Sequence, residues 1–439
     1  MKSIIALCIG LLSGILSIAQ SRTSFTIELV PVLVEGFDGL QSYAWASSNE
    51  FVLLVGGRKD GLHQRHPFSA FARQGNNTEL TVIDIKNKKA YTRSVLSLQS
   101  SIAEQLQSTN MQFYQQGNEL ILIGGYGYAE SKKTHITHPA IIVIKVKEII
   151  NAILNDKSIS EYILQLEDER MAVTGGRLNK LNNVFYLAGG QRFNGRYNPH
   201  GPDHGPGFSQ QYTNQIRKFT LSTTSGKISI NNYNAITDSV LLHRRDYNLL
   251  PQFNKDGNEI LAIFSGVFQY EKDVPYTTII DISQNDVRKV EGFNQQFNHY
   301  HTAALSLYDR SNKANYAVFF GGIAQSYKDT AGNIVKDENV PFTKSISVVQ
   351  RTGQEIKEFL YPKEMPGYLG AAAEFIPANK KYYAENGILQ LDKISKEPVV
   401  AGYIIGGIES KNANVFWSND ANSSKASGII WMINISNSK

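Results

Sequence analysis

The chain has 439 residues, with 44 Lys and Arg against 39 Asp and Glu, and a formal net charge of +5 at pH 7. This length allows a sizeable core in one large domain or two ordinary ones, and the modest, dispersed positive charge gives no support to a nucleic-acid partner. Cys8 is the single cysteine, so disulfides and cysteine metal ligands are excluded from the rest of the chain.

The N-terminus has the pattern of a secretory signal peptide. Lys2 is followed by the apolar run 4–12 and then by Ser17-Ile18-Ala19, a small-residue pattern that is typical of a cleavage site. We therefore expect residues 1–19 to be removed and the mature chain 20–439 to be secreted, to the periplasm or the cell surface. No other apolar stretch approaches the length of a membrane span.

A short phrase, an apolar run that ends in glycine, recurs six times after a first strand predicted at 24–34. The six copies end at Gly57, Gly125, Gly190, Gly266, Gly322 and Gly407. Their mean spacing is (407 − 57)/5 = 70 residues, which indicates a repeat architecture. Each run predicts a strand that is buried on both faces, and its glycines predict a bulge or a close approach to a neighbouring backbone.

Further strands surround each phrase, so that each repeat is predicted to be a four-stranded unit. In chain order the predicted strands are 43–46, 51–55, 80–85 and 90–95; 112–115, 120–123, 140–146 and 161–166; 171–173, 184–188, 215–221 and 227–233; 247–250, 260–264, 277–282 and 287–292; 302–307, 316–320, 345–349 and 356–360; and 370–376, 400–405 and 428–435. The helical spacing of four apolar residues predicts one short helix over 147–155.

The sixth repeat lacks a fourth strand, whereas the strand 24–34 belongs to no repeat. Pairing 24–34 with 428–435 leaves no open sheet edge at either end of the chain. The sequence therefore predicts an all-β fold, a six-bladed β-propeller formed by residues 20–439 as a single domain, with the last blade closed by the N-terminal strand. We expect this domain to be a monomer.

Six such phrases, each within a four-stranded unit, give the chain a resemblance to kelch-repeat proteins over essentially its whole mature length. The repeats are degenerate, since Ser265 stands where a glycine is expected and the later aromatic residues are irregular. The resemblance implies a kelch-type propeller like that of galactose oxidase, but the cross-linked cofactor of that enzyme needs a cysteine that the mature chain lacks. We therefore expect no cofactor.

Five loops between second and third strands are long and would lie on one face of the propeller: 58–78, 126–138, 191–214, 323–342 and 408–427. Long loops on one face of a rigid scaffold indicate a binding or catalytic site, and the nine histidines map to the same face. The candidate ligand-binding residues on these loops and on the crossovers are Arg170, Arg244, Arg245, Asp246, His200, His204, His299 and His301.

Two classes of function fit these residues. Aromatic and imidazole faces that stack on sugars, beside Arg and Asp that bind hydroxyls or carboxylates, indicate a secreted binding module for a glycan or a protein loop. Cationic walls would then favour anionic ligands. The alternative is a carbohydrate-active enzyme that resembles the periplasmic kelch sialic-acid epimerase/mutarotase, with His299, His301 or Asp246 as acid and base. An extracellular scaffold that uses the blade rims is a further alternative.

One loop also offers candidate metal ligands. His200, Asp203 and His204 offer two imidazoles and a carboxylate within five residues, an acceptable set for Zn²⁺. No recognised metal-binding spacing accompanies them, so the sequence predicts a locally hydrogen-bonded loop and no metal.

Overall fold

The computed structural model describes residues 23–64, 66, 68–198, 201, 205, 207–329, 331–416 and 422–438. The fold is all-β, with 51% of the residues in strands and 8% in helices. Two sets of predicted features lie outside the described residues: the signal peptide 1–19, which contains Cys8, and the trio His200, Asp203 and His204. In the described part of the chain, none of the helices has the length and apolarity needed to cross a membrane.

Most described strands form six antiparallel sheets, which we number I to VI. Sheets I to IV each have four antiparallel strands that lie side by side in chain order: I, Ala44–Ser48, Phe51–Val55, Glu79–Asp84 and Lys89–Ser94; II, Gln112–Gln116, Glu119–Ile123, Ala140–Lys145 and Ile163–Glu167; III, Arg177–Leu181, Val184–Ala188, Gln215–Thr224 and Lys227–Thr237; IV, Asn248–Phe253, Glu259–Phe264, Ile280–Ile282 and Val287–Lys289. Sheet V has the same order and one added parallel strand: Ala304–Asp309, Ala314–Ile323, Phe342–Thr352, Glu355–Glu364 and Leu389–Gln390.

Sheet VI joins the two ends of the chain. Its strands are Glu374–Pro377, Val399–Ile405, Ile430–Asn437 and, at the edge, the N-terminal strand Phe25–Val32. The last two are antiparallel, in a register that runs from Phe25 opposite Asn437 to Val32 opposite Ile430. The pairing expected from the unmatched strands is therefore observed.

The core consists of apolar layers between neighbouring sheets. One buried cluster lies between each of the pairs I and II, II and III, III and IV, IV and V, V and VI, and VI and I. The cluster between VI and I, for example, joins Ile405 and Ile430 to Val52 and Leu54. Because both faces of each sheet are covered, the strands of the glycine phrases are continuous apolar runs rather than alternating ones.

The remaining regular elements lie around these sheets. The predicted helix is confirmed at Val146–Leu154, where Ile149, Ile150 and Ile153 pack against sheets I and II. The helix Ser100–Leu106 was not predicted. Four of the long loops also contain strands that were not predicted: Tyr126–Ala129 with Thr134–Thr137, Gln191–Gly195 with Phe208–Tyr212, Ser326–Lys328 with Ile334–Lys336, and Ile408–Ser410 with Ser424–Ala426. The predicted strand 370–376 is divided into Tyr368–Ala371, which pairs with Ile408–Ser410, and Glu374–Pro377 of sheet VI. Short 3-10 turns occupy Arg73–Gly75, Ser160–Tyr162, Glu169–Met171, Lys380–Tyr382 and Leu391–Lys393.

In the third repeat the predicted first strand, 171–173, is wrong. The first strand is Arg177–Leu181, and Met171 ends a 3-10 turn. Met171 and Val173 are fully buried in the cluster between sheets II and III. Their apolar character therefore reflects core packing by a loop and not a strand.

Glu358 lies on the outer strand of sheet V, and its titration should make the free energy of unfolding depend on pH. Its carboxylate accepts hydrogen bonds from the backbone N–H groups of Gln296 and Phe297, the second at 3.2 Å. Burial raises the pKa of Glu358 from its ordinary value of 4.5 to about 7. Between these values the unfolded chain has lost the proton that the folded chain keeps, so the free energy of unfolding should fall as the pH rises from 4.5 to about 7 and level off above that.

We expect Glu358→Gln to remove this dependence. Thermal melts near pH 5 and pH 8 should show the variant gaining stability over the wild type at the higher pH only. An equal change at both pH values would contradict the assignment.

Candidate functional site

Six loop residues, one before the first strand of each sheet, surround the bottom of a single cavity. They are Ser42, Asn110, Gly175, Asp246, His301 and Ala372, and we call them the floor residues. All six lie in the left-handed backbone region, with φ between +42° and +66°, a conformation that L-residues adopt only where the surrounding structure requires it.

Backbone hydrogen bonds link the floor residues to one another. The N–H of Ser42 donates to the carbonyl of Ala372 (2.9 Å), that of Asn110 to Ser42 (3.0 Å), that of Gly175 to Asn110 (3.4 Å), that of Asp246 to Gly175 (2.7 Å) and that of Ala372 to His301 (2.7 Å). Each bond joins the loops of two neighbouring sheets. The residue before each floor residue bridges to the residue that follows the glycine phrase, as Gln41 does with Arg58 and Thr109 with Tyr126.

The floor residues were not recognised as a set from the sequence. In the first three repeats they precede the last glycine of the phrase by the same interval, since 57 − 42, 125 − 110 and 190 − 175 all equal 15. In the last three repeats the intervals are 20, 21 and 35, because loops of different length intervene. The constant interval was a signal that could have identified half of the floor.

Above the floor, the long loops form the walls of a cavity of about 680 Å³. This volume is within the range of about 300–1,000 Å³ that is usual for small-molecule sites. The walls are rich in aromatic rings: Phe71, Tyr126, Phe193, Tyr197, Phe208, Tyr212, Phe268, Tyr270, Tyr300, Phe416, His63 and His243. Burial, followed by the charge of Arg245, lowers the pKa of His63 to about 4, so this wall imidazole is neutral at pH 7.

Asp246 is the centre of the polar half of the floor. Its Oδ1 accepts a hydrogen bond from Nδ2 of Asn110 at 3.2 Å and lies 3.8 Å from Nδ1 of His301. Its Oδ2 accepts from the guanidinium of Arg245, which also lies over the ring of Phe268 with 5.0 Å to the centroid. Burial lowers the pKa of His301 despite the nearby carboxylate, so the floor presents a neutral imidazole beside an ion pair.

Carboxylates outnumber cations among the charged groups that line the cavity. Among the described residues they are the cations Arg58 and Arg245 and the carboxylates Asp246, Asp273 and Glu338. Arg58 is held by Asp60 and by Oδ1 of Asn76 at 2.8 Å. The cationic walls expected from the sequence are therefore not found.

Three of the predicted site residues do not line the cavity. Arg244 is buried between sheets III and IV, where it donates to the carbonyls of Leu241, Ser265 and Thr278 at 2.8–3.1 Å and to Oγ1 of Thr278 at 2.5 Å. His299 is fully buried, and its Nδ1–H donates to the carbonyl of Gly321 at 2.5 Å. Burial lowers the pKa of His299 to about 4.

Arg170 lies on the surface, away from the cavity. It pairs with Asp168 and stacks over the ring of Tyr233 at 4.4 Å. Arg244 and His299 each stand two residues before a floor residue, and both side chains are buried away from the cavity. Of the predicted site, the structure therefore brings together Arg245, Asp246 and His301.

No family model and no curated protein matches this sequence. In the described part of the chain, no cluster of three or more His, Cys, Asp or Glu side chains could hold a metal ion. A function must therefore be inferred from the cavity.

Proposed function

We propose that the chain is a secreted carbohydrate-binding protein that holds a neutral glycan in the floor cavity. The observation that carries this proposal is the combination of aromatic walls with a polar floor whose carboxylate, Asp246, is already paired with Arg245. Aromatic rings stack on the C–H faces of sugars, and fixed carboxylate, amide and imidazole groups hydrogen-bond their hydroxyls.

The proposed scaffold is a six-bladed kelch-type β-propeller in which sheets I to VI are the blades. Three features support it: the apolar cluster between each successive pair of sheets including VI and I, the backbone hydrogen bonds between floor residues, and the pairing of Phe25–Val32 with Ile430–Asn437. A ring of blades leaves few sheet edges open and places all six floor residues around its axis.

Charge favours a neutral ligand over an acidic one. Arg58 and Arg245 already have carboxylate partners in Asp60 and Asp246. Asp273 and Glu338 add negative charge to the same lining. An anionic ligand would meet these carboxylates without a free guanidinium to compensate, and like charges in a confined site cost binding free energy.

The proposal is tested by presenting the purified protein with immobilised saccharides of gluco, galacto and manno configuration, one to four units long, beside sialylated and uronic-acid analogues. We expect retention of at least one neutral series and none of the acidic analogues. Preferential binding of the acidic sugars, or of no saccharide, would refute a neutral-glycan function.

A second candidate is an enzyme acting on a carbohydrate. It is favoured by the neutral imidazole of His301, which faces the carboxylate of Asp246 on the floor at 3.8 Å. Such a pair could take a proton from a bound hydroxyl and return one elsewhere on the sugar. Proton NMR of a freshly dissolved reducing sugar separates the candidates, because an enzyme would hasten the approach to the equilibrium ratio of anomers or epimers and a binding protein would not.

A further inference from the structure

Three aromatic side chains form a parallel stack in one wall of the cavity. The imidazole of His243 lies between the rings of Tyr212 and Tyr270, with 3.8 Å between centroids on each side and interplanar angles of 24° and 22°. All three residues line the cavity. We call this arrangement the aromatic stack.

Hydrogen bonds hold every ring of the stack in place. The hydroxyl of Tyr212 accepts from the N–H of Phe268 at 3.2 Å, Nδ1 of His243 lies 3.3 Å from Oδ1 of Asn214, and the hydroxyl of Tyr270 donates to the carbonyl of Ser239 at 2.7 Å. The rings are therefore fixed before any ligand arrives, which reduces the conformational entropy lost on binding.

The outermost ring of the stack is open to solvent. Tyr270 is 63% exposed although one of its faces is covered by His243, so the uncovered face points away from the stack. An aromatic ring whose free face borders a cavity can stack on the apolar face of a ligand. Asp273, three residues along the same loop, also lines the cavity and has no hydrogen-bond or ion-pair partner among the described residues.

From this arrangement we propose that the aromatic stack is a second sugar subsite, which rests on the proposed function and extends it to oligosaccharides. One unit lies on the floor, and the next unit of the same chain stacks its apolar face on Tyr270 while a hydroxyl donates to the carboxylate of Asp273. A flat ring face and a free acceptor in the same lining are the two kinds of group that hold a pyranose. The ligand is then a neutral glycan of at least two units.

Titration calorimetry with saccharides of one to four units, in the gluco, galacto and manno series, tests this subsite in the full-length mature protein. We expect the wild type to bind the two- or three-unit member about tenfold more tightly than the single unit. In Tyr270→Ala this gain should vanish, so that the two- and three-unit members bind about as tightly as the single unit. Phe68→Ala is the matched control, because Phe68 is an equally exposed aromatic residue, also 63%, that does not line the cavity, and it should keep the gain.

Each other outcome overturns the proposal in a different way. Equal affinity of the wild type for all chain lengths would refute the second subsite and leave single-sugar binding intact. Weakening of all lengths by the same factor in Tyr270→Ala, with an unchanged melting temperature, would leave the gain intact and mean that Tyr270 only shapes the cavity wall. If no saccharide binds and a peptide segment does, both the subsite and the glycan function are wrong.

Discussion

Replacing Phe25 by alanine is expected to lower the free energy of unfolding by about 3–5 kcal/mol, the usual cost of removing a buried aromatic ring. Phe25 is only 1% exposed, and its ring lies edge-on to Tyr316 at 5.2 Å and parallel to Tyr361 at 6.5 Å. Both tyrosines belong to sheet V, whereas Phe25 belongs to sheet VI. The ring of Phe25 therefore connects the N-terminal strand of sheet VI to sheet V.

Chemical denaturation of the mature protein measures this effect, with Glu28→Ala as the control. Glu28 lies on the same strand but is exposed, opposite Asn434, so its loss should change stability by no more than about 0.5 kcal/mol. Deleting residues 23–33 removes the whole edge strand and should leave no folded protein, because one edge of Ile430–Asn437 would lose its partner and the core would lose Phe25 and Ile27. A stable deletion variant would show that sheet VI does not depend on the N-terminal strand.

Arg244→Ala is expected to be the second strongly destabilising change, by about 3 kcal/mol or more. The substitution leaves the buried carbonyls of Leu241, Ser265 and Thr278 without their donor, and a hydrogen bond to a charged group contributes about 1.5–3 kcal/mol. Arg244→Lys should recover only part of the loss, because an ammonium cannot reproduce the planar fork of the guanidinium.

Arg170→Ala is the contrasting variant. Its ion pair with Asp168 is on the surface, where such pairs contribute about 0–1 kcal/mol. Thermal melts of the three variants should therefore place Arg170→Ala beside the wild type, Arg244→Lys below it and Arg244→Ala lowest. A normal melt for Arg244→Ala would contradict its role between sheets III and IV.

Much of the fold could be predicted because the apolar run of each glycine phrase indicates that its strand is buried. Only a strand covered on both faces needs an uninterrupted apolar run, and the run at Phe51–Val55 is one of six. Counting the strands of each repeat then showed that the sixth repeat lacks one strand and that the N-terminal strand could supply it. Residues 171–173 were misassigned because an apolar loop that fills a core has the same composition as a short strand.

The site residues were harder to predict, because their residue types do not show in which direction each side chain points. Arg244, Arg245 and Asp246 are consecutive, and the sequence gives no means of telling which of them faces the cavity. The left-handed conformation of Asp246, with φ of +54°, turns its side chain to the floor and leaves Arg244 between the sheets. The hairpins in the cavity walls were also missed, because polar loop sequences lack the alternation that identifies a half-buried strand.

Calorimetric titration of the best-bound neutral oligosaccharide into the wild type, His301→Ala and Arg170→Ala tests the central claim most directly. His301 faces the cavity from the floor, so its loss should weaken binding about fivefold or more, since truncating a buried polar contact typically costs at least about 1 kcal/mol. Arg170→Ala should bind like the wild type, and all three proteins should melt at similar temperatures. Unchanged affinity in His301→Ala, or a loss in Arg170→Ala, would contradict the account and place the ligand outside the floor cavity.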